Sequence, residues 1–174
     1  MKGVLILTLI VFFTSTSYSC DCECMNDCSF HKIFMSSKFV ALVKVISYDN
    51  YLGREIMGYN KNMPQSMEVE IIRLYKGFET RKKIRIWGDN GMLCRPYIAN
   101  FAIGDYFLIA PRFIKVPSSL KESTVDYEFF SCVTDYLRVD KRLKVAYGEY
   151  KEKQNKILLR SFEKIINRMK EATK

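Results

Sequence analysis

The residues of this 174-residue chain best suited to chemistry are its six cysteines, four of them crowded at Cys20, Cys22, Cys24 and Cys28 and two standing apart at Cys94 and Cys132. Clustered thiols do one of three things: attack as thiolates, ligate metal, or oxidise in pairs. The cluster lacks the paired two-residue gaps of a zinc ribbon, and the only histidine is His31, so disulfides are the expected state. An even cysteine count also fits an oxidising compartment. Once oxidised, the cluster leaves no thiolate for His31 to activate, and His31 is expected in a loop or at a helix end. Glu68 and Glu70 share one strand face and mimic a catalytic carboxylate pair. Alternation with apolar neighbours explains them as a solvent face. With one histidine and no nucleophile motif, no catalytic residue, cofactor or enzymatic activity is expected.

A second constellation is basic. Lys82, Lys83 and Arg85 alternate with apolar residues toward Trp87, and Arg95 follows, a mixture suited to an extended anionic ligand. The formal charge is +9, from 28 Lys and Arg against 19 Asp and Glu, spread along the chain. That spread reads first as a solvated basic surface, and nucleic acid is a poor match for an exported chain.

The elements that must position these residues follow from pattern. Residues 1–19 hold Lys2, an apolar run and a small polar stretch ending at Ser17 and Ser19, the form of a secretory signal peptide cut before Cys20. The apolar run is about ten residues, short of the roughly twenty needed to span a bilayer. Removal leaves residues 20–174, one domain's length, in a secreted or extracytoplasmic location, the periplasm or envelope in a bacterium. A cysteine directly after the cut also opens the alternative of an acylated, envelope-anchored lipoprotein. Ser17 and Tyr18 depart from such signals, which carry an aliphatic residue three before the cysteine.

Residues 37–48, 66–75, 82–87, 104–110 and 126–139 read as five strands, rich in β-branched and aromatic residues. The break of alternation at Ile71-Ile72 predicts a bulge, and 49–65, with Gly53, Gly58 and Pro64, reads as a loop. Five strands with few intervening helices predict a mainly β fold, a small closed barrel over 20–140. The Lys- and Glu-rich tail of 141–174 carries apolar residues at helical spacing from Ile157 to Met169, predicting an amphipathic helix from Tyr150 onward that packs on the barrel.

In order, Cys-x-Cys, SSKFVALVKV, VEIIRLYKGF, IRIWGDNGMLC, FAIGDYFLIAP and FFSC resemble the netrin-like module, the type of the N-terminal domain of tissue inhibitors of metalloproteinases. The turn at Tyr75-Lys76-Gly77 and the stretch from Gly104 to Ile109 are its strongest elements. The resemblance covers about residues 20–140 and implies a five-stranded OB-like barrel whose first two cysteines are tied to Cys94 and Cys132. Two registers remain open. One pairs Cys20 with Cys94 and Cys22 with Cys132, leaving Cys24 and Cys28. The other pairs Cys22 with Cys94 and Cys24 with Cys132, leaving Cys20 and Cys28, and spacing to the first strand favours it.

The resemblance further implies a protein-binding domain that inhibits a zinc metalloprotease. A first-residue Cys20 would place its α-amine and carbonyl on the partner's zinc, with Asp21 and Cys22 beside it. Asp21 departs from what an apolar protease pocket accepts. A single-domain relative resembling bacterial exported homologues is implied, because no cysteine follows Cys132.

Overall fold

The computed structural model of the chain describes residues 20, 22, 27–53, 55 and 62–172. The leader expected at 1–19, Asp21 and Cys24 lie outside the described residues. Helix α1 (Phe30–Ser36) precedes strands β1 (Val40–Tyr51), β2 (Pro64–Lys76) and β3 (Lys83–Trp87). A single 3-10 turn at Ile98–Asn100 leads to β4 (Tyr106–Ile109), β5 (Arg112–Phe113), β6 (Tyr127–Glu128), β7 (Tyr136–Asp140), β8 (Val145–Lys151), β9 (Gln154–Leu158) and helix α2 (Leu159–Ala172).

The fold is mainly β, as expected, but the expected closed five-stranded barrel is not what forms. Among the described residues nine strands hydrogen bond in the order β5-β6-β3-β2-β1-β4-β7-β8-β9, and their sheet does not close. The reason lies in the tail. Residues 145–151 and 154–158, partly read as helix, make an antiparallel hairpin that extends the sheet from β7, and the helix begins only at Leu159. The segment 126–139 is likewise two short strands, β6 and β7, with Cys132 in the turn between them.

The bulge is where alternation broke. Leu42 faces Arg73 and Val43 faces Ile71, leaving Ile72 unopposed and 43% exposed. At the end of β2, Gly77 has φ +92°, and a Cβ there would run into the Lys38 carbonyl oxygen, so glycine alone fits the turn.

Because strand residues alternate between faces, the sheet carries two cores. On one face Ala41, Val43, Val45, Val69, Ile84, Ile86, Phe107 and Ile109 pack with Ile98, Phe101 and Phe129 from the loops. On the other, Val40, Leu108, Leu137, Val139, Ala146 and Ile157 pack under Phe30 and Phe34 of α1 and Phe162 and Ile166 of α2.

Candidate functional site

The chain start is stapled to the end of the sheet. Cys20 bonds Cys94 across a sequence separation of 74 residues, with Cα atoms 5.6 Å apart, and Cys22 bonds Cys132 across 110 residues, with Cα atoms 4.9 Å apart. This is the first of the two registers. The one favoured by spacing to the first strand, Cys22 to Cys94 and Cys24 to Cys132, does not form. Helix α1 takes up residues 30–36 between the clustered cysteines and the first strand, an element that the five-strand reading does not contain. Cys28 is also disulfide-bonded. Loops closed by bonds of this span are worth about 4 to 5 kcal/mol in the chain-entropy account. Cys20 and Cys22 themselves are exposed.

Backbone and buried polar groups hold the receiving loops. Ser131 N–H donates to the Cys94 carbonyl at 3.0 Å and Thr134 N–H to the Cys28 carbonyl at 2.8 Å, so the two stapled loops and the start of the chain share hydrogen bonds. Asp135 closes the Cys132 turn by accepting the Phe130 N–H at 2.7 Å on Oδ2, while its Oδ1 is buried without a partner. Burial pushes this carboxyl up to about 8, against the lowering effect of the Phe130 hydrogen bond.

On the Cys94 side, Arg95 is the anchor. Its Nη1 lies 2.7 Å from Glu122 Oε1 and its Nε 2.7 Å from Glu128 Oε2, with all three residues buried. Glu122 also accepts the N–H and hydroxyl of Ser118, at 2.8 and 2.5 Å. Burial opposes the charge on Arg95, but the hydrogen bonds and charges of Glu122 and Glu128 outweigh it and hold the guanidinium above its usual pKa. Burial likewise opposes ionisation of Glu122, and Arg95 and Ser118 reverse it, leaving its pKa lowered.

Beside the staple opens a groove of about 560 Å³ lined by Asp27, Cys28, Cys132, Thr134, Glu149 and Glu152. It is acidic in a basic protein. A hydrogen bond from Ser29 holds the Asp27 carboxyl below its usual pKa.

The expected basic and aromatic face is dispersed. Trp87 is 2% exposed and donates its indole N–H to Asp126 at 2.9 Å, and Arg95 is sealed in its ion pairs. Lys82 and Lys83 are exposed, but Lys83 pairs with Glu68 at 2.7 Å and Arg85 lies 3.8 Å from Asp49. His31 sits in α1, edge-on to Phe34 at 5.2 Å and to Tyr150 at 5.6 Å, and burial and then Lys151 lower its pKa. It is a packing residue. Among the described residues no cluster of three or more His, Cys, Asp or Glu could hold a metal ion.

Glu122, Glu128 and Asp135 went unread. Nothing in their local sequence signals partners such as Arg95, which is 27 and 33 positions from the two glutamates. Compared with known proteins, the chain matches no family model, no curated protein and no solved structure. The disulfides fit an extracytoplasmic chain, and no helix among the described residues is long and apolar enough to cross a membrane.

Proposed function

We propose that this chain is an exported, non-enzymatic netrin-like domain that binds protein and inhibits a zinc metalloprotease through Cys20. The bond between exposed Cys20 and Cys94 carries this reading, because it fixes the first cysteine of the Cys-x-Cys pair at the surface. After removal of the leader, the Cys20 α-amine, with a pKa near 8, presents a neutral nitrogen beside its own carbonyl. A catalytic zinc keeps one position open for water, and that pair of ligands fills it. The two bonds order the chain end beforehand, so binding carries little entropic cost there.

Asp21 narrows the target. An unpaired carboxylate in an apolar pocket costs several kcal/mol, so the protease pocket carries a basic group. The neighbouring groove of Asp27, Glu149 and Glu152 complements a basic rim on the same partner. The anchored alternative is mutually exclusive with this reading, since the Cys20 sulfur cannot hold both a disulfide and a thioether.

The test adds one alanine before Cys20 of the mature chain and assays a panel of zinc proteases. Inhibition by the native chain and its loss on extension are expected, and inhibition that survives the extension overturns chelation by the chain end. An intact mass carrying a diacylglycerol adduct supports the anchored form instead.

A further inference from the structure

The β7, β8 and β9 strands carry a surface that the protease reading does not use. Leu137, Val139, Ala146 and Ile157 of these strands bury against the helices. Their alternate neighbours therefore face the other way, past the limit of the opposite core. The pairing register aligns three of them: Arg138 is opposite Tyr147, and Tyr147 is opposite Lys156. Strands lie about 4.8 Å apart, so the row sets two cations about 10 Å apart with an aromatic ring between them. The Arg138 side chain is 69% exposed and Tyr147 is 42% exposed.

The β7–β8 turn adds Lys141, Arg142 and Lys144 at the end of this row. The turn is shaped by its own chemistry, with the Leu143 N–H donating to Asp140 Oδ1 at 2.9 Å and Lys144 in the left-handed region at φ 55°. Lys141 donates to the Tyr106 hydroxyl at 3.2 Å and stands 4.6 Å from that ring's centroid. Arg138 pairs with Asp105 at 3.1 Å. Among the described residues, no carboxylate forms an ion pair with Lys141, Arg142, Lys144 or Lys156. Tyr147 lines a groove of about 470 Å³ with Tyr106, Arg138 and Lys141, whose rim also holds the carboxylates of Asp105 and Asp140. A second groove that it borders, of about 590 Å³, takes in Lys156 and runs round the β9 edge to Ile157, Ser161 and Ile165 on the helical face.

We infer that the Arg138–Tyr147–Lys156 row and the β7–β8 turn form a binding track for an anionic polysaccharide, its acidic groups on the cations and a sugar ring on Tyr147. Cations strung along a strand row and a turn match a polymer better than a single compact anion. An aromatic plane flanked by cations suits a ring bearing charged substituents. The disulfides place the chain where such polymers occur outside the cytoplasm. The track is independent of the chain start.

The test measures binding of the full-length mature chain to dextran sulfate and to polygalacturonate at about 0.15 M salt, the two probes separating sulfated from carboxylated chemistry. Lys141→Gln with Lys156→Gln is expected to weaken binding to the preferred probe about tenfold and to flatten its salt dependence. Lys82→Gln with Lys83→Gln, which removes the same charge elsewhere, leaves binding within about twofold. Tyr147→Ala loses about fivefold while Tyr147→Phe retains affinity. All these positions are exposed, and unchanged thermal unfolding verifies the fold of each variant. Equal loss in the two charge variants overturns the track, as does equal binding of a single-stranded oligonucleotide or an anionic lipid vesicle, or failure of both polymers to bind.

Discussion

On one face of the sheet, Phe101, Phe107 and Phe129 are closed over by loops that a disulfide-tied chain start and the Arg95, Glu122 and Glu128 ion pairs hold down. On the other, Val40, Leu108 and Leu137 are closed over by two helices whose rings meet edge-on, Phe34 and Phe162 at 5.1 Å. Loops have no intrinsic period with which to present an apolar stripe, so the first face uses covalent bonds and buried charge. Helices supply the stripe, so the second rests on apolar burial with a few polar ties at its edge, Arg73 and Tyr75 with Glu163 and Lys76 with the Phe34 and Met35 carbonyls. Directional contacts suit the face that holds the stapled site, because they set loop positions that nondirectional packing leaves loose.

The largest effect separating the faces is expected at Arg95. Arg95→Met leaves Glu122, its side chain 3% exposed, with no cation and leaves Glu128, 11% exposed, with Arg112 alone at 2.8 Å, at a loss of about 3 kcal/mol in urea unfolding. Adding Glu122→Gln to that variant recovers part of the loss. Recovery is what distinguishes an electrostatic seal from mere packing. On the helical face, Phe162→Ala removes a fully buried ring and is expected to cost about 3 kcal/mol, with no recovery from any charge change. A smaller effect is expected from Asp135. Its folded-state pKa, raised from 3.8 to about 8, means that the folded protein binds a proton that the unfolded chain has released. That contribution is fully present below the unfolded pKa and is lost as pH rises through about 8. Between pH 7 and 9 the native protein should lose about 1.4 kcal/mol, while Asp135→Asn removes the slope. A flat native profile would show that water reaches this carboxyl.

The first half of the chain was more legible than the second. Strands β1 to β4 lie close to where alternation and β-branching put them, and the irregular step at Ile71-Ile72 is a bulge in register. Helix α1 escaped notice because seven residues are too few for a helical period to stand out, although Phe30 and Phe34 have the i, i+4 spacing of one face. The β9 strand escaped because Ile157 and Leu158 extend the helical spacing of Phe162 and Ile166 backward, and the turn that separates β8 from β9 contains neither Gly nor Pro. It is Lys153, at φ 62°, that makes it. The basic and aromatic face was misplaced for a related reason. Alternation assigned Lys83 and Arg85 correctly away from the core, but Trp87 and Arg95 are buried by partners distant in sequence.

The long reach of the two bonds has a consequence for biosynthesis. Cys20 and Cys22 leave the ribosome 74 and 110 residues ahead of their partners, a delay of roughly 4 to 22 seconds at ordinary elongation rates. Until Cys94 emerges the clustered thiols have only one another, and any bond that Cys20 or Cys22 forms within the cluster must be shuffled before the sheet can be tied. Efficient production therefore calls for a thiol–disulfide isomerase at the site of export, and yield should fall when only an oxidant is supplied.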